Sequence, residues 1–112
     1  MISDIRKRKV DLSRLPLSIR DYIDVYAALS DVTRMRILLA LYSSKDHMLS
    51  FNELNEALGL RSGGLNYHLK LLLDAGLIEN VLERRGRKIS HYRLTDKGVK
   101  VLKIPEILHE SM

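Results

Sequence analysis

Residues 84–88 read Arg84-Arg85-Gly86-Arg87-Lys88, four cations in five positions. Guanidinium and ammonium groups at that density bind phosphate oxygens, and arginine can do so through two parallel N–H···O bonds. The central glycine suits the tip of a hairpin turn. A second group lies upstream, Arg61-Ser62-Gly63-Gly64-Leu65-Asn66-Tyr67-His68-Leu69-Lys70. Its polar side chains hydrogen-bond rather than react. The Asn66 amide can meet an adenine edge at N6 and N7, the Tyr67 phenol can meet phosphate or a thymine methyl, and Lys70 can meet phosphate or guanine. The chemistry on offer is recognition of a polyanion. No glycine-rich phosphate loop and no nucleophile motif appears, so no enzyme is expected.

The bulk composition agrees. The chain has 112 residues, one domain's worth, and its 46% hydrophobic and 29% charged residues are ordinary for a globular protein. A net charge of +5 attracts nucleic acid first and an anionic membrane surface second. No apolar run approaches the ~20 residues that span a bilayer. The basic run Arg6-Lys7-Arg8-Lys9 has no apolar stretch behind it and does not read as a secretory signal, so a cytoplasmic protein is expected. The absence of cysteine excludes a disulfide framework and thiolate metal sites. His47, His68, His91 and His109 lack paired ligand spacing, and neither metal nor cofactor is expected.

Both recognition groups need elements to hold them. Residues 1–17 show no periodicity and read as a basic N-terminal extension, either an arm that reaches DNA or a solvated tail. Ser18 and Asp21 have the spacing of a helix start, followed by the stripe Ile19, Tyr22, Ile23, Tyr26 and Ala27. Ser30 or Asp31 caps a second helix. Val32, Met35, Leu38, Leu39 and Tyr42 share its face, and Ile37 and Leu41 widen it. Arg34 and Arg36 at its start hold either a phosphate or a structural ion pair. After a polar turn and a short extended piece, Ser50-Phe51-Asn52-Glu53 forms a capping box for a helix carrying Leu54, Ala57 and Leu58. That helix ends at Gly59-Leu60 in the manner of a Schellman stop. Ser62 caps the next helix, whose inward stripe is Leu65, Leu69, Leu72 and Leu73 and whose end is Gly76-Leu77. Two short helices across a tight turn form a helix-turn-helix.

Two strand-like runs follow, Leu77 to Glu83 and Ile89 to Leu94, with 84–88 as the turn between them. Thr95 caps a last helix that Pro105 breaks or kinks, leaving 105–112 as a C-terminal tail. The domain thus spans 18–104. It is mainly α with a small β-hairpin, in the order α-α-(β)-α-α-β-β-α, as a winged helix-turn-helix requires.

In that geometry the outward face of helix 62–75 is Gly63, Asn66, Tyr67 and Lys70, with Gly64 at its edge. The glycines are poor helix formers. They either let the backbone approach DNA or permit close packing on the preceding helix. His68 borders the core stripe and reads as a hydrogen-bonded packing residue. Tyr92 either supports the hairpin or belongs to the core.

Three runs resemble a known family. Ala28-Leu29-Ser30-Asp31-Val32-Thr33-Arg34-Met35-Arg36-Ile37-Leu38 looks like the opening helix motif of ArsR-type winged-helix repressors and the related MarR-like group. Gly64 to Leu72 with Ala75-Gly76-Leu77-Ile78 is similar to their recognition helix and its exit. Tyr92-Arg93-Leu94-Thr95-Asp96-Lys97-Gly98 is similar to their final strand-to-helix junction. The resemblance covers about residues 18–103. It implies a DNA-binding repressor acting as a homodimer through its terminal helices, on operators with two half-sites. Ser62, Gly63, Gly64, Asn66 and Tyr67 match its groove-facing positions. Metal-sensing members carry cysteines or His and acidic pairs that this chain lacks.

The expected DNA contacts are Arg61, Ser62, Gly63, Gly64, Asn66, Tyr67 and Lys70 on the helix and Arg84, Arg85, Arg87 and Lys88 on the wing. The expected dimer contacts are Ile19, Tyr22, Ile23, Tyr26, Leu102, Ile107 and Leu108, with completion of the monomer core as their other use. Two rival readings stand beside sequence-specific regulation. One is a winged-helix protein-interaction module; the other is a non-specific binder of double-stranded DNA.

Overall fold

The computed structural model describes residues 11–60, 64–85 and 87–111. A short 3-10 helix, Leu12–Arg14, precedes α1 (Ile19–Leu29) and α2 (Val32–Tyr42). A second 3-10 turn, Lys45–His47, leads through β1 (Met48–Ser50) to α3 (Phe51–Leu58) and α4 (Gly64–Asp74). Next come β2 (Ile78–Arg85), β3 (Arg87–Leu94) and α5 (Asp96–Glu110). The element order is the expected one, and the strand before the helix pair is present.

The starts of α1, α2, α3 and α5 follow from their capping residues. Ser18 accepts from the Asp21 N–H at 3.1 Å, and Asp21 accepts in return from the Ser18 N–H at 3.3 Å. Ser50 and Glu53 make the same reciprocal pair at 3.1 and 3.0 Å. Asp31, not Ser30, caps α2 through the Arg34 N–H at 3.0 Å, and Thr95 caps α5 through the Gly98 N–H at 3.1 Å. Such caps are worth about 1 kcal/mol each. Two leave an electrostatic signature. The Arg34 N–H holds the Asp31 carboxyl below the usual carboxylate range, and bonds from Ser50 do the same for Glu53.

Helix ends are equally local. At Gly76 (φ 73°) the Leu77 N–H reaches Leu72 O at 3.1 Å and the Gly76 N–H reaches Leu73 O at 3.0 Å, which is the Schellman pattern. The Schellman stop expected at Gly59 takes a simpler form: the Gly59 N–H itself bonds Asn55 O at 3.0 Å. Both glycines hold left-handed backbone that other residues resist.

The sheet is antiparallel with β3 in the middle, flanked by β1 and β2. Leu49 lies opposite Tyr92, and Ile78 opposite Leu94. Ile78, Tyr92 and Leu94 turn inward at alternate positions and are buried, so Tyr92 belongs to the core.

The core is built around α2, which touches every other helix and also β1 and β3. Its face differs from the expected one. Ile37, Leu38 and Leu41 are fully buried, whereas Val32 and Leu39 are 77% and 50% exposed. With neighbours on several sides, a helix buries the sector that most of them share, and here α3, α4 and the sheet set that sector. Leu54 and Leu58 of α3 and Leu65, Leu69 and Leu72 of α4 complete the core; Ala57, expected to join them, is exposed.

Two boundaries also differ. The strands run into the basic segment as far as the pairs Arg84–Lys88 and Arg85–Arg87, so these residues belong to the ladder rather than to a loose turn. At the other end, α5 passes through Pro105 to Glu110, and residues 105–110 are helix rather than tail. Proline's fixed φ is itself helical, so the loss is confined to one N–H and a crowded turn.

Gly98 fixes where α5 meets the rest. A Cβ there would lie 2.2 Å from Leu77 O and 3.1 Å from Leu94 Cδ2, and Leu77 O also receives the Thr95 N–H at 3.1 Å. Gly98→Ala is therefore expected to cost about 1–3 kcal/mol, despite alanine's better helix propensity. A thermal melt of the variant checks this, and an unchanged midpoint counts against it.

Candidate nucleic-acid interface

α4 is held by one face and offers the other. Leu65, Leu69 and Leu72 are buried, and Leu73 packs beside them. Asn66, Tyr67 and Lys70 lie on the opposite side and are exposed, Tyr67 by 62%. An amide, a phenol and an ammonium thus share an outer surface whose backbone is pinned from behind. Arg61, Ser62 and Gly63 lie outside the described residues. Gly64 opens the helix, and a Cβ there would meet nothing within 4 Å. Close packing on the preceding helix is therefore not what calls for glycine at position 64.

His68 faces inward from the same helix. Its Nδ1 lies 3.1 Å from Arg34 Nη1 and 3.8 Å from Asp31 Oδ2. It is the hydrogen-bonded packing residue expected. Arg34 also donates through Nε to Ala28 O and through Nη2 to Ala27 O, each at 3.0 Å. These are carbonyls at the C-terminal end of α1, where a cation complements the helix dipole. Two further cations do similar work: Arg36 reaches Leu58 O of α3 at 3.4 Å, and Lys97 reaches Ala75 O just past α4 at 2.8 Å. All three thus have a structural use on helix-end carbonyls. Sequence reading offered Arg34 and Arg36 as phosphate or ion-pair groups and missed helix-end carbonyls as their partners, which no local spacing reveals.

The basic hairpin poses the opposite electrostatic problem. Arg84 sits opposite Lys88, and Arg85 opposite Arg87, in the β2–β3 register. Like charges directly opposed across a ladder are destabilising by a few tenths to about 1 kcal/mol per pair. Nearer the base of the hairpin the pattern is reversed. Arg93 lies opposite Glu79 and makes bonds of 2.8 and 2.6 Å to its Oε1. The hairpin thus carries an ion pair at its base, and its opposed positions toward the tip are all basic residues. Gly86 lies outside the described residues.

A second surface lies on the terminal helices. Ile19, Ile23 and Tyr26 of α1 and Ile107 and Leu108 of α5 are 53–69% exposed. Tyr22 and Leu102 are half-buried. The first five do not complete the monomer core. Between the two helices runs an apolar groove lined in part by Tyr26, Leu39, Leu102 and Ile104.

The open space at Gly64 supplies a test. Gly64→Ala should raise stability by up to about 1 kcal/mol by restricting the unfolded chain. If the backbone at this turn approaches a nucleic acid, affinity for duplex should fall in the same variant. Melting and duplex titration measured together check both. Unchanged affinity would show that the turn stands clear of the ligand.

Comparison with known proteins places this arrangement. Residues 23–104 match the model of a family described as "Domain of unknown function (DUF7347)". The uncharacterized protein MJ0432 of Methanocaldococcus jannaschii is 36% identical over 85 residues, covering 73% of this chain and 90% of that protein. A MarR-family transcriptional regulator from Porphyromonas gingivalis W83, described as putative in its own name, superposes with a TM-score of 0.60. It is 24% identical and the match covers 92% of this chain and 94% of that one. The homodimeric winged helix-turn-helix DNA-binding domain Mb0332 from Mycobacterium bovis, a possible ArsR-family regulator, superposes at 0.67. It is 19% identical, with 82% and 81% of the two chains covered. The fold is a winged helix-turn-helix, as in these solved structures, and by the match over residues 23–104 the chain belongs to the DUF7347 family.

Proposed function

We propose that this protein is a DNA-binding transcriptional regulator that acts as a homodimer, in the manner of a repressor. The observation that carries the reading is one juxtaposition within a winged helix-turn-helix. The exposed Asn66, Tyr67 and Lys70 lie on the second helix of the pair, and a hairpin follows whose opposed residues Arg84, Lys88, Arg85 and Arg87 are all cationic. An α-helix fits a major groove about 12 Å wide, and in this class of fold the second helix enters it. Asn66 reads a base edge there, while Tyr67 and Lys70 join Arg61, Ser62 and the Gly63-Gly64 backbone in holding phosphates. The wing residues lie along the neighbouring backbone or minor groove.

Phosphate contacts and base contacts separate by their salt and sequence dependence. Arg85→Ala with Arg87→Ala should weaken binding to all duplexes and lower the slope of log affinity against log salt by up to about 2. Asn66→Ala should leave that slope intact and change the preferred sequence. Titrations across salt, paired with selection from random duplexes, measure both. An unaltered slope removes the wing from the interface. Equal weakening on every sequence removes Asn66 as a base reader. No binding to any duplex at moderate salt would favour a protein-docking role.

The dimer reading rests on the exposed apolar residues of α1 and α5. Two copies joined there would present two α4 helices to half-sites about 34 Å apart. Ile23→Glu with Ile107→Glu places charge on residues that the monomer leaves exposed. Helical content should therefore be retained while light scattering shifts from dimer to monomer. A dimer that survives both changes places the interface elsewhere.

A further inference from the structure

We infer that His68 is a positioning residue for DNA reading, one half of a protonation-sensitive latch that holds α4 against the end of α1. The inference rests on the proposed DNA-binding role of α4. Arginine has no acceptor, so the 3.1 Å contact of Arg34 Nη1 with His68 Nδ1 requires the imidazole nitrogen to accept. His68 is then neutral, with its proton on Nε2. The same guanidinium is fixed by Ala27 O and Ala28 O of α1. One rigid fork therefore ties the recognition helix to the C-terminal end of the helix assigned to dimerisation.

A proton on Nδ1 reverses this contact. The acceptor becomes a donor facing another cation, and Asp31 Oδ2, 3.8 Å away, becomes the favourable partner. Asp31 is anchored to α2 by its cap on the Arg34 N–H, so the ring must move toward it. His68 is 18% exposed, packed enough that moving it disturbs α4. The other charged groups of this cleft are Arg20 and Asp24 of α1, paired at 3.2 Å, and Asp74 of α4. Tyr67, an outward-facing residue of the reading surface, meets the His68 ring edge-on at 5.4 Å between centroids. Displacement of the ring is thus passed to a residue assigned to DNA.

The sign follows. DNA binding favours neutral His68, so this group's contribution to affinity falls as pH falls, while protonation of other histidines acts the opposite way on a polyanion. Comparison with His68→Asn isolates it. The Asn amide oxygen takes the place of Nδ1, accepts from Arg34 and does not titrate. At neutral pH H68N should bind its selected duplex like the wild type, whereas His68→Leu should bind about tenfold more weakly, the scale of a lost charged hydrogen bond. On acidification the wild type should lose about tenfold relative to H68N. Parallel pH profiles for the wild type and H68N overturn the latch.

Imidazole nitrogen NMR on the full chain gives a measurement independent of DNA. The Nε2–H tautomer is expected in the wild type, and a mixture in Arg34→Met. An Nδ1–H tautomer in the wild type overturns the latch alone. Absence of duplex binding by the wild type at any pH overturns the DNA reading, and the positioning role with it.

Discussion

Short helices are mostly ends. The first four N–H groups and last four C=O groups of any helix lack internal partners, and α3 is only 8 residues long. A fold built from such pieces depends on how those groups are satisfied. Here the N-termini use their own sequence: Ser18, Asp31, Ser50 and Thr95 each cap the helix that follows. The C-terminal ends of α1, α3 and α4 also draw on the rest of the molecule, α3 and α4 beyond their local glycine stops. Arg34, Arg36 and Lys97 each reach across to carbonyls at the end of another helix, so the same bonds that finish a helix also dock it. Assembly of the helix-turn-helix and termination of its parts are one event.

This allocation divides the cations by use. Arg34, Arg36 and Lys97 are held on helix-end carbonyls, while Arg93, Arg20 and Arg14 pair with Glu79, Asp24 and Asp11. The basic residues of the hairpin instead occupy opposed positions of the β2–β3 ladder. Net charge alone does not distinguish these groups. A cation already bonded to a carbonyl has satisfied donors, whereas opposed cations gain from any anion that screens them. The outer face of α4, by contrast, keeps Asn66, Tyr67 and Lys70 exposed.

Apolar surface is divided in a related way. α2 is surrounded by other elements and buries Ile37, Leu38 and Leu41 completely. α1 contributes only Ala28 to the buried core and turns Ile19, Ile23 and Tyr26 outward. Its C-terminal end is nevertheless held by Arg34, which also touches His68.

The sequence by itself determined the order of elements, the N-caps Ser18, Ser50 and Thr95, the left-handed stops at Gly59 and Gly76 and the inward leucines of α4. Each is written within a few neighbouring residues, because a cap, a turn or a helical stripe needs only local spacing. The resemblance in three separate runs also pointed to the right fold. The tertiary structure decided which sector of α2 is core, that the α1 stripe faces outward, that α5 continues past Pro105 and that the basic residues of the hairpin are paired strand positions. It alone joined Arg34 to α1 and to His68. These outcomes depend on which distant groups arrive alongside, and a pattern of side chains along one helix cannot say which of its two apolar sectors will find a partner.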